Sequence, residues 1–87
     1  MIIPPNTPAI SIRQPWCHHI LFDGKDVENR SWPTKFRGLV LIHASRTVDS
    51  CDRGFVSAMF MPRGGIVGVM RITDCVREMD SQWFFGP

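Results

Sequence analysis

The sequence has no tyrosine, no closely spaced cysteine pair and no long apolar segment. Its three cysteines, Cys17, Cys51 and Cys75, are odd in number and widely separated. That pattern argues against a disulfide framework and predicts reduced core thiols in a cytoplasmic protein. The first residues run into two prolines without a basic region, so no signal peptide is predicted. Apolar runs stay below the roughly 18–20 residues of a membrane span, and we expect no membrane contact.

Motifs of the common enzyme and cofactor folds are also missing. There is no P-loop, no GxSxG or HExxH motif and no glycine-rich dinucleotide fingerprint. His18 and His19 are adjacent, and on a helix their side chains diverge by about 100°, so they cannot bind one metal ion together with Cys17. We therefore expect no cofactor and no metal site.

The composition is that of a small globular domain with one basic half. The 87 residues allow a single domain, and 44% of them are hydrophobic. Residues 1–46 carry six basic and three acidic side chains, whereas residues 47–87 carry four and five. Eight of the ten cations are arginines, whose planar guanidinium pairs well with carboxylates, phosphates and base edges. The N-terminal half is therefore the basic side, although a mixed solvated surface would give the same balance.

Periodicity predicts an α+β fold for residues 9–87, after an extended lead-in at residues 1–8. The predicted strands lie at 9–13, 26–31, 38–45 and 66–76, and the predicted helices lie at 16–23 and between Thr47 and Pro62. The 38–45 strand is apolar on both faces up to His43, which is typical of a central strand.

The second helix and the last strand carry more specific expectations. Thr47 is predicted to cap that helix, and Gly68 is expected to bend or bulge the last strand. The buried stripe predicted for the helix consists of Val48, Cys51, Phe55, Ala58 and Met59.

The densest polar cluster is the segment from Gly24 to Arg30. On the predicted 26–31 strand, Glu28 and Arg30 share one face, and Lys25 stands at the corner before it. A partly buried amine, a carboxylate and a guanidinium could hold a ligand from three directions. The alternative is a surface ladder of ion pairs worth well below about 1 kcal/mol each.

Three further sites have both a functional and a structural interpretation. His43 on an apolar strand needs a hydrogen-bond partner, and a neighbouring strand could bring it near Glu28. The strand-to-helix corner Arg13-Gln14-Pro15-Trp16 could face an anion, and Trp16 and Trp32 could stack on bases or simply pack in the core. Arg63-Gly64-Gly65 predicts a turn and carries little functional information.

Three segments of the sequence resemble the ASCH domain family (activating signal cointegrator homology). They are Ile10-Ser11-Ile12-Arg13-Gln14-Pro15-Trp16, Gly24-Lys25-Asp26-Val27-Glu28-Asn29-Arg30, and Gly38 to Ser45. The family signature of the type G-x-K-x-x-E-x-R corresponds to Gly24, Lys25, Glu28 and Arg30, with the glycine directly before the lysine. Ile42-His43-Ala44-Ser45 and Trp83-Phe84-Phe85-Gly86-Pro87 also look like bacterial and phage members.

The resemblance implies a small PUA-like mixed β-barrel with two flanking helices and a cleft lined by the signature residues. Such domains are thought to bind RNA or nucleotides, and one branch hydrolyses 4-acetylcytidine with a lysine and a threonine nucleophile three residues later. Glu28 stands at that threonine position here. Similar members continue past the Trp-Phe-x-Gly-Pro segment, so we expect this chain to lack the strands that close the barrel.

The leading hypothesis is an RNA- or nucleotide-binding ASCH domain, with a protein partner left open. Its ligand would contact Arg13, Gln14, Trp16, Gly24, Lys25, Glu28 and Arg30. The alternative is a hydrolase acting on a modified nucleoside or RNA, with Lys25 and Glu28 as the acid/base pair and His43 assisting. A third interpretation is an inactive, truncated remnant.

Overall fold

The computed structural model describes residues 3–30, 33–76 and 80–83. In chain order the elements are β1 (Ala9–Ile12), α1 (Trp16–Phe22), β2 (Gly38–Ala44), α2 (Arg53–Ala58) and β3 (Gly65–Ile72). The predicted α+β class is confirmed. The predictions for Trp32 and for residues 84–87 fall outside the described residues. Over the part of the chain described here, no helix combines the length and the apolar character that crossing a membrane requires.

The three strands form a mixed sheet with β2 in the centre, as its two apolar faces predicted. β1 runs parallel to β2, with Ile10 opposite Ile42, and β3 runs antiparallel to β2. The register shifts between Ile42, which faces Gly68, and His43, which faces Ile66. The irregularity predicted near Gly68 is therefore confirmed. Within the described residues the sheet is open, and the closed PUA-like barrel stays a prediction.

The main core lies between α1 and the sheet. Its fully buried members are Ile12, Cys17, Ile42 and Ala44, against which Ile10, Trp16, Ile20, Leu21, Val67 and Met70 pack. Leu21 comes so close to β3 that a Cβ added at Gly68 would lie 2.6 Å from the leucine Cδ2. Glycine at this position therefore leaves room for Leu21 over the sheet, and a larger residue would require the Leu21 side chain to move.

The strand predicted at 26–31 is wrong over the described residues 26–30, which pair with no strand. The alternation there is one of charged side chains, with Val27 as the apolar residue between them, so the segment has little apolar face to bury in a sheet. Its polar side chains are held by contacts with other parts of the chain. Asn29 Nδ2 donates to the Trp83 carbonyl at 2.9 Å, and Arg30 Nη2 donates to the Ser11 carbonyl at 2.8 Å.

The second helix is shorter than predicted, and Thr47 does not cap it. α2 begins at Arg53 after Asp52, while the Thr47 amide donates to Ser45 Oγ at 3.1 Å. The predicted stripe is wrong except for Val48, because the helical period does not extend back through residues 47–52. The residues buried here are Val48, Val56 and Met61, and the exposed ones are Cys51, Phe55, Ala58 and Met59.

The remaining corrections concern strand length and the cysteines. β3 ends at Ile72 rather than at residue 76. All three cysteines are free, as predicted, yet Cys17 is buried whereas Cys51 and Cys75 are exposed. The prediction of three core thiols is therefore wrong for two of them: Cys51 precedes the short α2, and Cys75 follows the end of β3.

Candidate functional site

A cleft of about 520 Å³ opens beside the C-terminal end of β1. It is lined by Ser11, Ile12, Arg13, Trp16, Lys25, Glu28, Asn29, Arg30 and Ser45. Of these residues, Arg13, Lys25 and Arg30 are cationic and Glu28 is acidic. The volume lies within the range of about 300–1,000 Å³ that is typical of small-molecule sites. The cleft is thus large enough for one nucleotide and is predominantly positive.

Gly24 creates the cleft wall without lining it. At the end of α1 this residue has φ +72°, a left-handed conformation that glycine adopts without steric cost. The chain then turns back, and the Lys25 amide donates to the His19 carbonyl at 3.0 Å. This reversal brings Lys25 against the first turn of α1. Gly24 therefore positions Lys25, and the ligand contact predicted for Gly24 stays a prediction.

Lys25 is the most deeply buried charged side chain of the cleft, with 2% of the side chain exposed. Its Nζ donates to the Val27 carbonyl, lies 3.5 Å from Glu28 Oε1 and stands 5.9 Å from the centre of the Trp16 ring. Burial lowers the pKa of Lys25 below its ordinary value, and the neighbouring Glu28 carboxylate opposes that shift. An amine held in this way is directed at one place in the cleft.

Glu28 lies between two cations. Its Oε1 faces Lys25, while its Oε2 lies 3.1 Å from Arg30 Nε in a second ion pair. Because Arg30 also donates from Nη2 to the Ser11 carbonyl, its guanidinium is fixed to the edge of β1. The predicted trio of Lys25, Glu28 and Arg30 is therefore brought together, by an irregular segment instead of a strand face. The result is a fixed carboxylate flanked by donors, an arrangement suited to a ligand with both polar hydrogens and oxygens.

Arg13 and Asp49 form the outer rim of the cleft. The Arg13 guanidinium pairs with the Asp49 carboxylate, and both side chains are about half exposed. Exposed pairs of this kind are weak, typically below about 1 kcal/mol. Arg13 thus remains accessible to an anionic ligand, which would compete with the Asp49 carboxylate, a residue not predicted to belong to the site.

Gln14 and His43 support the cleft from outside its lining. Gln14 is buried, with Nε2 donating to the Pro62 carbonyl at 3.0 Å and Oε1 accepting from the His18 amide at 3.1 Å. Both ends of its amide therefore serve the fold. His43 Nδ1 lies 3.2 Å from Ser11 Oγ, in register with it across β1 and β2. Ser11 is therefore the hydrogen-bond partner predicted for His43. Because Ser11 lines the cleft, His43 lies next to it.

Four lining residues were not predicted: Ser11, Ile12, Asn29 and Ser45. Ser11 lies in β1 two residues before Arg13, which directly follows the strand, so the period of two could have identified Ser11 once Arg13 was chosen. Ser45 could be identified only from the sheet. Its amide donates to the Ile12 carbonyl at 2.9 Å, and this bond holds Ser45 next to the end of β1 and the cleft.

Residues 80–83 pack on the outer side of residues 26–29, part of the irregular segment that lines the cleft. The Trp83 ring packs against His19 of α1 at a tilt of 34°, with ring centres 5.0 Å apart, and the Trp83 carbonyl accepts from Asn29. Ser81 Oγ donates to the Asp26 carboxylate. The aromatic tail noted in the sequence therefore contributes, at Trp83, to the position of residues 26–29.

The described residues provide no metal centre. His19 Nδ1 lies 2.7 Å from Asp23 Oδ2, with His18 Nε2 3.8 Å from the same oxygen. Nevertheless, no group of three or more histidine, cysteine, aspartate or glutamate side chains able to hold a metal ion exists in the part of the chain that the structure describes.

Comparison with known proteins adds a family match. The model of the ASCH domain matches residues 10–85, nearly the whole chain, and these include every residue that lines the cleft. No curated protein and no solved structure matches the chain significantly.

Proposed function

Because the chain belongs to the ASCH domain family, we propose that it binds RNA or a nucleotide in the cleft lined by Lys25, Glu28 and Arg30. The observation that carries the proposal is the position of Lys25, a buried amine held between Glu28 and the Trp16 ring. A buried cation is costly unless it is paired, and a ligand oxygen at this point would add a second strong acceptor.

Each neighbour of Lys25 has a chemistry that matches one part of a nucleotide. Arg13 and Arg30 present guanidinium groups for phosphate or carbonyl oxygens. Glu28 accepts hydrogen bonds from a base amino group, and Trp16 offers an aromatic surface for a base. Together these groups recognise a base edge at the buried end of the cleft and a phosphate at its exposed end.

A chemical-shift titration with a short, mixed-sequence single-stranded RNA tests the proposal. In the wild type we expect amide shifts that cluster on Arg13, Lys25, Glu28 and Arg30. Lys25→Met should weaken binding by roughly 10-fold to 100-fold, because a hydrogen bond to a charged group is worth about 1.5–3 kcal/mol. The matched control is Lys35→Met, which removes the same charge from an exposed position outside the cleft.

The control separates a specific contact from loss of net charge. We expect Lys35→Met to stay within about twofold of the wild type, since one distant surface charge is largely screened at physiological salt. Dispersed amide peaks in each variant establish that it is folded. Equal losses of affinity in the two folded variants, or shifts that avoid the cleft, would contradict the proposal.

A second function, hydrolysis of a modified nucleoside, is favoured by one observation. Lys25 has a lowered pKa and lies 3.5 Å from Glu28, so the pair has the composition of a general acid and base. With 4-acetylcytidine as probe, water would attack the acetyl carbonyl, and cytidine and acetate would be released. Turnover that persists unchanged in Glu28→Gln would contradict this second function and leave the binding proposal untouched.

A further inference from the structure

A second cavity lies at the same end of the sheet as the cleft. It has a volume of about 470 Å³ and is lined by Arg46, Met61 and Arg63. Both arginines are exposed, whereas Met61 is buried and forms the floor. Within the described residues neither guanidinium is paired with a carboxylate, in contrast to Arg13 and Arg30.

The second cavity and the cleft are lined by consecutive residues at the end of β2. Ser45 lines the cleft, and the next residue, Arg46, lines the second cavity. The ends of the three strands meet here, because the Ser45 amide donates to the Ile12 carbonyl of β1 and the Gly64 amide, just before β3, donates to the Ala44 carbonyl at 2.6 Å. Going from β1 to β3 crosses two inter-strand spacings, about 10 Å.

The turn before β3 fixes both arginines at this place. Arg63 Nη1 donates to the Arg46 carbonyl at 3.2 Å. The Arg46 side chain lies so close to the turn that a Cβ added at Gly64 would be 3.0 Å from Arg46 Nε. The Arg63-Gly64-Gly65 sequence therefore holds the Arg63 guanidinium against the Arg46 backbone, in the cavity that both side chains line, and two arginines lining one cavity suit a phosphate.

We propose that the ligand is a single-stranded RNA of several nucleotides, which leaves the cleft across the end of β2 and places a backbone phosphate between Arg46 and Arg63. This inference rests on the proposed function of the cleft and narrows its ligand from a nucleotide to an oligonucleotide. A distance of about 10 Å is covered by no more than about three nucleotides, at roughly 3.4 Å each in a stacked strand.

The test compares two probes on four proteins. The probes are a single-stranded RNA hexamer of mixed sequence and a mixture of nucleoside monophosphates, each titrated by amide shifts and, for the hexamer, at several salt concentrations. The proteins are the wild type, Arg63→Gln, Arg63→Lys and the control Arg71→Gln. Arg71 is an exposed arginine of β3, opposite Leu39 at the far end of the sheet.

We expect Arg63→Gln to weaken hexamer binding about fivefold near 0.1 M salt, since each neutralised phosphate contributes a slope of about −0.7 in log K against log salt for a single strand. The slope of log K against log salt for the hexamer should become less steep by about 0.7. Monophosphate binding should not change, Arg63→Lys should retain most of the hexamer affinity, and Arg71→Gln should match the wild type.

The two proposals fail in different ways. If the hexamer shifts the cleft amides of the wild type but Arg63→Gln binds it as well as Arg71→Gln does, the extension across β2 is overturned and cleft binding stands. An equal loss of monophosphate and hexamer binding in Arg63→Gln also overturns the extension. If neither probe shifts the cleft amides of the folded wild type, the proposed function itself is overturned.

Discussion

The two apolar clusters of this small protein are packed to different degrees, and the cleft lies beside the tighter one. The cluster under α1 contains Ile12, Cys17, Ile42 and Ala44, none more than 2% exposed. The cluster beside α2 contains Val48, Val56 and Met61 and has few buried partners. On that side Phe55 and Met59 are exposed, and Phe60 is 92% exposed. A site that must hold a buried lysine in one place is thus built beside the part of the fold that is most completely packed.

The largest expected contrast comes from truncating one side chain in each cluster. Ile42→Ala should lower the free energy of unfolding by about 2–5 kcal/mol, because Ile42 is fully buried between α1 and the sheet. Val56→Ala removes two methyl groups from the smaller cluster and should cost about 1.6 kcal/mol, at about 0.8 kcal/mol per buried carbon. Urea unfolding of both variants gives the two values, and a Val56→Ala loss as large as that of Ile42→Ala would contradict the difference between the clusters.

The next contrast uses the one buried thiol. Burial raises the pKa of Cys17 from 9.0 to about 11. A raised folded-state pKa gives stability that is complete below the unfolded value and is lost as the pH rises through the folded value. The advantage of the wild type over Cys17→Ala should therefore shrink by roughly 2 kcal/mol between pH 8 and pH 11.

Unfolding at a series of alkaline pH values measures that loss, and the sequence suits the experiment. Tyrosine is absent, so no phenol titrates in this range. Lys25, whose pKa is lowered, changes stability in the opposite direction, gaining it as the pH rises towards 10.5, so the difference between wild type and variant is the quantity to follow. Cys51→Ala, at an exposed position, is the control. If the pH dependence of unfolding is the same in Cys17→Ala as in the wild type, the raised pKa of Cys17 is refuted.

A smaller contrast comes from one substitution made at two glycines. Gly24→Ala should cost about 1–2 kcal/mol, because alanine is strained at φ +72°. Gly54→Ala, within α2 and with no atom within 4 Å of the added Cβ, should instead stabilise the protein by about 0.4–1 kcal/mol. Thermal unfolding gives both signs. Gly24→Ala should also weaken RNA binding, since the turn positions Lys25; unchanged binding by the folded variant would show that the turn is not needed for the site.

The same division explains which parts of the fold could be predicted from sequence. β1, α1 and β2 have regular apolar periods that end in the main core, and their predicted bounds agree with the structure to within a residue. Around α2 the apolar pattern fits a helix as well as a turn, and tertiary contacts decide between them. Thr47 donates its amide to Ser45 instead of capping, and the helix begins only at Arg53.

For the candidate site, the sequence indicated which residue types come together but not the geometry that holds them. Lys25, Glu28 and Arg30 were identified by residue type and are in contact, but the segment that holds them follows side-chain hydrogen bonds to Ser11 and Trp83, which no local period reveals. Gln14 was predicted to contact the ligand as part of the strand-to-helix corner that could face an anion. Its partners, the Pro62 carbonyl and the His18 amide, include a residue 48 positions away, and only the fold shows that they satisfy it.

The smallest effect on stability is expected at an ion pair that connects the α2 side of the molecule to the cleft. Asp49, from the segment before α2, pairs with Arg13 at the cleft rim. Asp49→Asn should change the free energy of unfolding by less than about 1 kcal/mol, as expected for a half-exposed pair. It should nevertheless strengthen RNA binding severalfold, since it removes a competing anion and frees Arg13 for a phosphate. Asp74→Asn, which removes a more exposed carboxylate beside Arg37, is the control for net charge. Equal gains in both variants would mean that the rim acts only through overall charge, whereas a gain confined to Asp49→Asn would place the phosphate contact at Arg13.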